Sequence, residues 1–463
     1  MDRRVFLAGV SVTGALSTTH IASARADADA LVAHGLKMVP TMADLRALTP
    51  KSDEVVWLRG HHRPLDGGEG FFWWDEDSDE AEYGGINAAP LDASRGRWKR
   101  QHSPGSVSAS WFESIPSLLK YCADNTPITV HLPNGQWNFA GMEIPTGISF
   151  TGVGLIWQGG TAHGGFKGGS VILGNPIQGL GPSANSFSGI IFDGGFTVRK
   201  QYTYFDNCAF IGGSLIFDQR DGAAPYYCTV NNCHFREISN GPCILFVAQA
   251  NANRIVNSTI FVAQDQRGIV AEGHNGQYPT TNVITGCAIE AYGSATQIGS
   301  YVYGDFHNLV FLGNYLDPSR PIFKDGADIV FTANSRRNRI WLPNQYGDKF
   351  VYGGSGHLFH GATEGSLFIG SANYDLADLS NLPEMLIVGE AAEALTLPPI
   401  QNSYGKAVTV SCERDGGTIM RAAENESING SASIRVENGE AFKLYTKYYP
   451  NNPVKNWIAR KIW

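Results

Sequence analysis

A short pattern recurs along the middle of the chain, and its period restricts the fold more than any other feature of the sequence. Five segments, beginning at residues 206, 231, 256, 285 and 312, can be laid over one another. Their third residues lie 25, 25, 29 and 27 residues apart and are Cys208, Cys233, Ser258, Cys287 and Asn314. Two places later each segment carries an apolar residue: Phe210, Phe235, Ile260, Ile289 and Leu316. Short strands that repeat with a period in the twenties are typical of solenoids.

The residues between the strands distinguish among solenoids. Leucine-rich repeats share this period but need a ladder of leucines, which is missing here. The turns are rich in Asn and Gly instead, and they favour a right-handed parallel β-helix. Both repeated positions then point inward and form ladders, because successive coils stack about 4.8 Å apart. An irregular antiparallel sandwich is the alternative.

The flanking segments differ from the repeat. The β-helix is expected over residues 106–365, with an amphipathic entry helix near 111–123. Residues 35–105 combine aromatic strands with Gly and Asp turns and predict a small antiparallel β module. Residues 380–463 alternate apolar and polar side chains, which predicts a β-sandwich-like domain after a boundary between 365 and 385. The chain is therefore expected to be all-β.

The first 28 residues resemble an export signal. Arg3 and Arg4, followed by Phe6 and Leu7, resemble a twin-arginine motif, and small residues at 22–26 offer a cleavage site. The apolar run after them is too short to span a membrane as a helix, and no later stretch is long and apolar enough either. We expect a mature protein without a membrane span, periplasmic or secreted.

Charge and cysteine content narrow the function. A formal net charge of -8 argues against a nucleic-acid partner, which requires a basic surface. The seven cysteines are an odd number without metal-ligand spacing, so most are expected to be small buried side chains rather than disulfides or ligands. No cofactor is expected, although the oxygen-rich loops would permit a calcium ion.

The sequence also resembles a known family. The segment "VVWLRGHHRPLDGGEGFFWWD" with the later "GRWKRQ" is similar to the module before the β-helix in phage-tailspike-like and pectate-lyase-superfamily proteins. The coils "NCAF", "NNCHF" and "GCAIE" resemble rungs of that superfamily, and the Trp-rich end resembles its closing sandwich. The resemblance implies a protein that grips a long polysaccharide along its flank, usually cleaves it and is often a homotrimer.

The resemblance supplies no catalytic residue. The Asp-x-Asp and Gly-His-Gly elements of polygalacturonases are missing from the sequence, as is the Trp-x-Asp-His element of pectate lyases. Pectin is therefore not the expected substrate, and candidate residues must come from the repeat itself.

The repeat brings two carboxylates together. Its sixth residues are Ile211, Arg236, Phe261, Glu290 and Asp317. If this position faces outward, Glu290 and Asp317 lie one coil apart, at about 5 Å. Glycosidases hold their two carboxyl groups about 5 to 5.5 Å apart for retention and roughly 6.5 to 9.5 Å apart for inversion, and the sequence leaves the outcome open. Carboxylates held so close favour sharing one proton, which suits a general acid. Glu237 follows as a third candidate, and Arg236 is expected to bind a substrate carboxylate. Solvated surface residues are the alternative interpretation.

A second cluster suggests a different reaction. Asp265, Arg267, Glu272 and His274 lie between two repeats, and such a loop can supply the base and the cation that β-elimination from a uronic acid requires. Tyr292 and Tyr303 lie at strand edges, where their rings are expected to stack on sugars.

These features lead to one main prediction and three alternatives. The main prediction is an exported depolymerase that hydrolyses an acidic bacterial exopolysaccharide with the pair Glu290 and Asp317. The alternatives are a polysaccharide lyase that uses Arg267 and His274, a non-catalytic glycan-binding protein, and a virion tailspike.

Overall fold

The computed structural model describes most of the chain from residue 36 onward. The described residues are 36–92, 95–155, 169–178, 184–293, 295–317, 321–341, 349–352, 358–360, 366–369, 373–375, 385–388, 393–400, 407–412, 415–446 and 456–462. The expected export signal at 1–28 lies outside them. The chain divides into two compact units, with the division after Leu118.

The first unit contains a five-stranded sheet in the order β1-β2-β3-β5-β4. The elements up to the division are β1 (Lys37–Val39), α1 (Met42–Arg46), β2 (Val55–Leu58), β3 (Gly70–Asp75), β4 (Asn87–Ala88), β5 (Arg97–Arg100), β6 (Ser106–Ser108) and a 3₁₀ helix (Ala109–Trp111). Strand β1 pairs with β2 in parallel, and the other pairs in this sheet are antiparallel. The expected β module is thus mostly antiparallel. Helix α1, which Thr41 and Asp44 cap reciprocally, connects the parallel pair.

The expected entry helix is present as α2 (Ile115–Asp124). It begins four residues later than the start expected from the apolar spacing, because the 3₁₀ helix and Phe112 in extended conformation precede it.

The second unit is a parallel β-helix in which each coil passes through three sheets in turn. Sheet 1 contains β7 (Ile128–His131), β10 (Ile148–Thr151), β13 (Ser186–Ser188), β16 (Tyr204–Asp206), β19 (Thr229–Asn231), β22 (Arg254–Val256), β25 (Val283–Thr285), β29 (Val310–Leu312), β33 (Arg339–Trp341) and β35 (Leu358–His360). Sheet 2 contains β8 (Gly135–Asn138), β11 (Ser170–Leu173), β14 (Ile190–Asp193), β17 (Ala209–Ile211), β20 (His234–Arg236), β23 (Thr259–Val262), β26 (Ala288–Ala291) and β30 (Tyr315–Leu316). The turns between the sheets form three corners, which we call the 1–2, 2–3 and 3–1 corners.

Sheet 3 is the longest sheet. Its parallel strands are β9 (Glu143–Ile144), β12 (Ile177–Gln178), β15 (Phe196–Val198), β18 (Leu215–Asp218), β21 (Ile244–Val247), β24 (Ile269–Glu272), β28 (Val302–Gly304), β32 (Ile329–Phe331), β34 (Lys349–Tyr352), β36 (Ser366–Ile369), β38 (Met385–Val388) and β40 (Ala407–Cys412). Two short strands pair in parallel at the 2–3 corner, β27 (Gln297–Ile298) and β31 (Ile322–Phe323).

The ladders predicted from the repeat are confirmed. Phe210 pairs with Phe235, and Ile289 pairs with both Ile260 and Leu316. Every member of the apolar ladder is buried, and so are the five residues two places earlier. Each of the seven cysteines is a free buried thiol, as expected for small core side chains.

The geometry of the 1–2 corner explains why the residue before each small ladder residue is Asn or Gly. Asn207, Asn232, Asn257, Gly286 and Gly313 occupy it with φ values of 50°, 51°, 51°, 65° and 62°. Only Gly, and to a lesser degree Asn, adopts this left-handed conformation at low cost. The corner is tight because one such residue turns the chain from sheet 1 into sheet 2.

Buried asparagines hold successive coils together, and removing one is expected to be costly. The Asn314 side chain accepts from the Cys287 amide and donates to the Ile284 carbonyl, each at 2.9 Å. Asn314→Ala leaves both backbone groups unsatisfied and is expected to lower the free energy of unfolding by about 2–4 kcal/mol, measured by denaturant unfolding. Asn257→Gly is the control and should change it by less than about 0.5 kcal/mol. Equal effects would contradict this role.

The C-terminal region consists of β-sheets, as expected, but the direction of its strands differs from the sequence prediction. Parallel pairing in sheet 3 continues through β36, β38 and β40, across the expected boundary at 365–385. Antiparallel pairing begins only when β40 meets β44 (Ala441–Thr446), which pairs with β45 (Asn456–Lys461), while β42 (Ser427–Ile428) borders β45. A second sheet has the order β37 (Asn373–Asp375), β39 (Ala394–Thr396), β41 (Thr418–Arg421) and β43 (Ser433–Val436). Alternation of apolar and polar residues indicates half-buried strands without showing their direction.

Among the described residues, none of the helices has the length and apolar character needed to cross a membrane.

Candidate functional site

One line of side chains crosses the outer face of sheet 2 and carries the predicted carboxylate pair. We call this line the outer row; it contains Asp193, Ile211, Arg236, Phe261, Glu290 and Asp317. Glu290 and Asp317 directly follow the buried partners Ile289 and Leu316, so both point away from the core. Glu290 lies in β26 and Asp317 directly follows the neighbouring β30, where its amide donates to the Ile289 carbonyl at 3.0 Å; neighbouring strands lie about 4.8 Å apart. The predicted juxtaposition is therefore present in the backbone register.

The charges of both carboxylates contribute to the raised pKa of two tyrosines, Tyr301 and Tyr315. Burial, and after it the charges of Asp317, Asp328 and Glu290, raise the pKa of Tyr301. The Tyr301 hydroxyl is buried and has no hydrogen-bond partner among the described residues. Desolvation, followed by Asp317 and Glu290, also raises the pKa of the more exposed Tyr315. These shared influences agree with the register.

A hydrogen-bonded triad lies beside the pair. Arg236 donates from Nη2 to Glu237 Oε1 and to the Tyr292 hydroxyl, each at 2.9 Å, and from Nε to Glu237 Oε1 at 3.2 Å. The Tyr292 hydroxyl in turn donates to Glu237 Oε1 at 2.9 Å. Tyr292 follows Glu290 by two residues, so both side chains lie on the outer face of the same coil. The triad borders the carboxylate pair.

The triad corrects one expectation about Arg236. Its side chain is only 3% exposed, whereas Glu237 is 48% exposed. The guanidinium is covered by Tyr292 and bonded to Glu237, so it is not open to a substrate carboxylate. Glu237 also has a φ of 57°, a strained conformation for glutamate that these bonds help to hold.

The 2–3 corner carries a second polar group. Arg267 donates to both oxygens of Asp325, at 2.8 and 2.6 Å, and its guanidinium carbon lies 3.6 Å from the centre of the Tyr303 ring. The hydrogen bond from Arg267 to Asp325 is the main reason that the pKa of Arg267 is raised. Lys324 pairs with Asp265 at 2.6 Å. The corner therefore holds two cations, each already matched by a carboxylate.

The structure separates the second predicted cluster into two parts. Asp265 and Arg267 lie at the 2–3 corner, before β24. Glu272 ends β24, and His274 lies beyond it at the 3–1 corner, where it forms a bridge with Gln277. A four-residue strand spans about 13 Å. Arg267 and His274 consequently lie at opposite ends of a strand, although they are only seven residues apart in the sequence.

Sequence reasoning missed Asp325 and Tyr301. Asp325 reaches Arg267 across 58 residues, and the only local signal is that it precedes Gly326 in a turn. Tyr301 is 0% exposed, and this burial has no sequence signature. Among the described residues, no group of three or more His, Cys, Asp or Glu side chains is arranged to hold a metal ion.

Comparison with known proteins supports the family resemblance. Residues 38–103 match the family described as the phage tail protein small four-stranded beta-sheet domain. Together with the parallel β-helix of the second unit, this match confirms the phage-tailspike-like resemblance read from the sequence. No curated protein matches the sequence.

Several solved structures are similar to this chain at low sequence identity. The tailspike gp49 of Acinetobacter baumannii bacteriophage Fri1, described as a capsular polysaccharide depolymerase, is 12% identical over 89% of this chain and 82% of its own, with a TM-score of 0.46. The tailspike of Acinetobacter phage vB_ApiP_P1 is 15% identical over 78% of this chain and 65% of its own, with a TM-score of 0.42. Pantoea stewartii WceF, described as a glycan biofilm modifying enzyme with a tailspike-like parallel β-helix, is 11% identical over 90% of this chain and 52% of its own, with a TM-score of 0.30.

Proposed function

We propose that this protein is an exported depolymerase that hydrolyses an acidic bacterial exopolysaccharide. It cuts bonds in the interior of the polymer, at the outer face of sheet 2. The observation that carries the proposal is the register of Glu290 and Asp317 on neighbouring strands, both facing outward. Glycoside hydrolysis requires two carboxyl groups on either side of the scissile bond. Export rests on the twin-arginine-like motif at Arg3 and Arg4.

In this proposal the two carboxyl groups have separate tasks. One, as the acid, donates a proton to the glycosidic oxygen, while the other attacks or stabilises the anomeric carbon. A spacing of one strand matches the retaining mechanism, in which the second group is the nucleophile. Glu237, positioned by Arg236 and Tyr292, lies next to the site and is available to bind sugar hydroxyls.

The separation of Arg267 from His274 favours hydrolysis over elimination. Elimination requires the base and the stabilising cation at one carbon skeleton, the base on the C5 proton and the cation on the adjacent carboxylate. Because Arg267 and His274 lie at opposite ends of β24, the two side chains do not reach the same sugar. Asp265 remains beside Arg267, but Lys324 is its ion-pair partner.

The test uses purified mature protein and a panel of acidic bacterial exopolysaccharides. Reducing ends and absorbance near 235 nm are followed together. New reducing ends without absorbance support the proposal. Reducing ends with rising absorbance indicate an unsaturated uronate and a lyase, and binding without either signal indicates a glycan-binding protein. Both of these results would overturn hydrolysis.

Arg267 provides a prediction about the acidic substrate. Its Nε and Nη2 bind Asp325, while the side chain is 39% exposed, so Nη1 remains available for a uronate or another acidic substituent. Arg267→Gln is expected to raise KM for the acidic polysaccharide about tenfold with a smaller change in kcat, because a charge-assisted bond to bound substrate is lost. Steady-state kinetics measure this split.

Arg254→Ala is the matched control, since Arg254 is exposed on sheet 1. It should leave KM unchanged. If both variants raise KM equally, the effect comes from overall charge and Arg267 has no direct part in binding.

A further inference from the structure

At the 3–1 corner a left-handed residue recurs two places before the strand of sheet 1, as one recurs at the 1–2 corner before the strand of sheet 2. In five successive coils these residues are Tyr202, Tyr227, Ala252, Thr281 and Asn308, with φ values of 55°, 57°, 55°, 54° and 51°. Each donates its amide to a carbonyl of the next coil; Tyr202 bonds to Tyr226 at 2.9 Å and Tyr227 to Asn251 at 3.2 Å. The five positions are therefore structurally equivalent.

Tyrosine is an unfavourable residue for this position. A bulky side chain with positive φ is a backbone outlier, whereas Asn tolerates the conformation. Packing into the core does not offset this strain, because the two tyrosines are 54% and 56% exposed. Two strained and exposed tyrosines on adjacent coils thus contribute little to folding. Such strain is characteristic of functional positions.

The two rings form an ordered surface. Tyr202 and Tyr227 stack with their centroids 5.4 Å apart and their planes at 16°. On the next coil the equivalent residue is Ala252, whose methyl group is too small to cover the outer face of the Tyr227 ring. On the other side of this corner, Tyr204 begins β16 and is 40% exposed. The corner therefore presents aromatic faces and edges to solvent.

Neutral polar groups continue along this corner on the coils after the aromatic pair. Thr281 Oγ1 donates to Asn251 Oδ1 at 2.6 Å, and Asn308 Nδ2 donates to Thr280 Oγ1 at 3.2 Å. Neutral amides and hydroxyls beside exposed aromatic rings match the chemistry of a sugar, which has apolar C–H faces and many hydroxyl groups.

We propose that the Tyr202–Tyr227 pair is a non-catalytic platform that binds the polysaccharide away from the cleavage site. Each coil passes through sheets 1, 2 and 3 in turn, so the 3–1 corner is the corner opposite sheet 2. The platform stacks on sugar rings of a chain segment that the outer row does not contact. It holds the enzyme on its polymer between cuts, because a second attachment raises the effective concentration of substrate. The identity of this ligand rests on the proposed function.

Affinity electrophoresis in gels that contain xanthan, gellan, succinoglycan, colanic acid or alginate tests the platform. The full chain carries Glu290→Gln and Asp317→Asn so that the gel polymer stays intact. Adding Tyr202→Asn and Tyr227→Asn is expected to weaken retention about tenfold. Asn keeps the backbone unstrained, as at Asn308. Adding Tyr202→Phe and Tyr227→Phe instead should preserve retention, since the rings remain.

The outcomes separate this proposal from the proposed function. Unchanged retention of the Asn variant, or no retention by any of the five polymers, would overturn the platform. Retention that depends on the rings, in a protein whose unmodified form does not cleave the retained polymer, would uphold the platform and contradict hydrolysis. In the active chain, the Asn variant is expected to cleave short oligosaccharides at the unmodified rate and to slow only on long polymers. Slower cleavage of both would place the tyrosines at the cleavage site and overturn the platform.

Discussion

Replacing Glu290 by Gln, or Asp317 by Asn, is expected to lower kcat for polysaccharide cleavage by about 10²–10⁴-fold. Each change keeps the shape of the side chain and removes its ability to hold or donate a proton as a carboxyl group. Because both residues lie on the exposed side of sheet 2, neither change creates a cavity in the core. The rates are measured from reducing ends on whichever exopolysaccharide the unmodified protein cleaves.

Asp193→Asn is the matched control. Asp193 belongs to the same outer row but is separated from Glu290 by three strands, and it is exposed. It should cleave at the unmodified rate. Near-normal activity in Glu290→Gln and Asp317→Asn would show that the chemistry lies elsewhere on the coil.

Phe205→Ala is expected to have the largest effect on stability. Phe205 is fully buried, and its ring lies 5.1 Å from Phe187, 5.3 Å from Phe196, 5.5 Å from Phe210 and 5.7 Å from Phe192. Removing it leaves a cavity between coils that the stacked strands cannot close. We expect a loss of about 3–5 kcal/mol in the free energy of unfolding, measured by denaturant unfolding.

Leu312→Ala tests whether burial is the cause. Leu312 points outward from sheet 1 and is 40% exposed, so this variant should lose less than about 1 kcal/mol. A loss as large as that of Phe205→Ala would mean that apolar contacts outside the coil contribute as much as the internal stacks.

The sequence predicts the β-helix well because the same residue pattern recurs in each coil of the repeat. A left-handed Asn or Gly, a small residue and an inward apolar residue recur in that order, and stacking requires all three. The C-terminal sheets lack such a repeat. Their alternation is the same for parallel and antiparallel strands, so the continuation of sheet 3 to Cys412 could not be read from it.

The candidate site is predictable only where it follows the repeat. Glu290 and Asp317 share a repeat position, and their adjacency follows from it. Contacts across several coils do not, because they depend on side-chain length and direction. The burial of Arg236 requires Tyr292, which lies 56 residues away, and Arg267 meets Asp325 over 58 residues. The separation of Arg267 from His274 was likewise not predicted, because the two residues are close in sequence and the strand between them was not recognised.

The stereochemistry of cleavage tests the central claim most directly. The spacing of neighbouring strands, about 4.8 Å, is nearer to the carboxyl separation of about 5 to 5.5 Å in retaining enzymes than to the roughly 6.5 to 9.5 Å of inverting enzymes. Proton NMR, recorded as cleavage begins, identifies the anomer of the first product before it equilibrates. If Glu290 and Asp317 form the catalytic pair, that product retains the anomeric configuration of the polymer. An inverted product, or an unsaturated uronate, would contradict it.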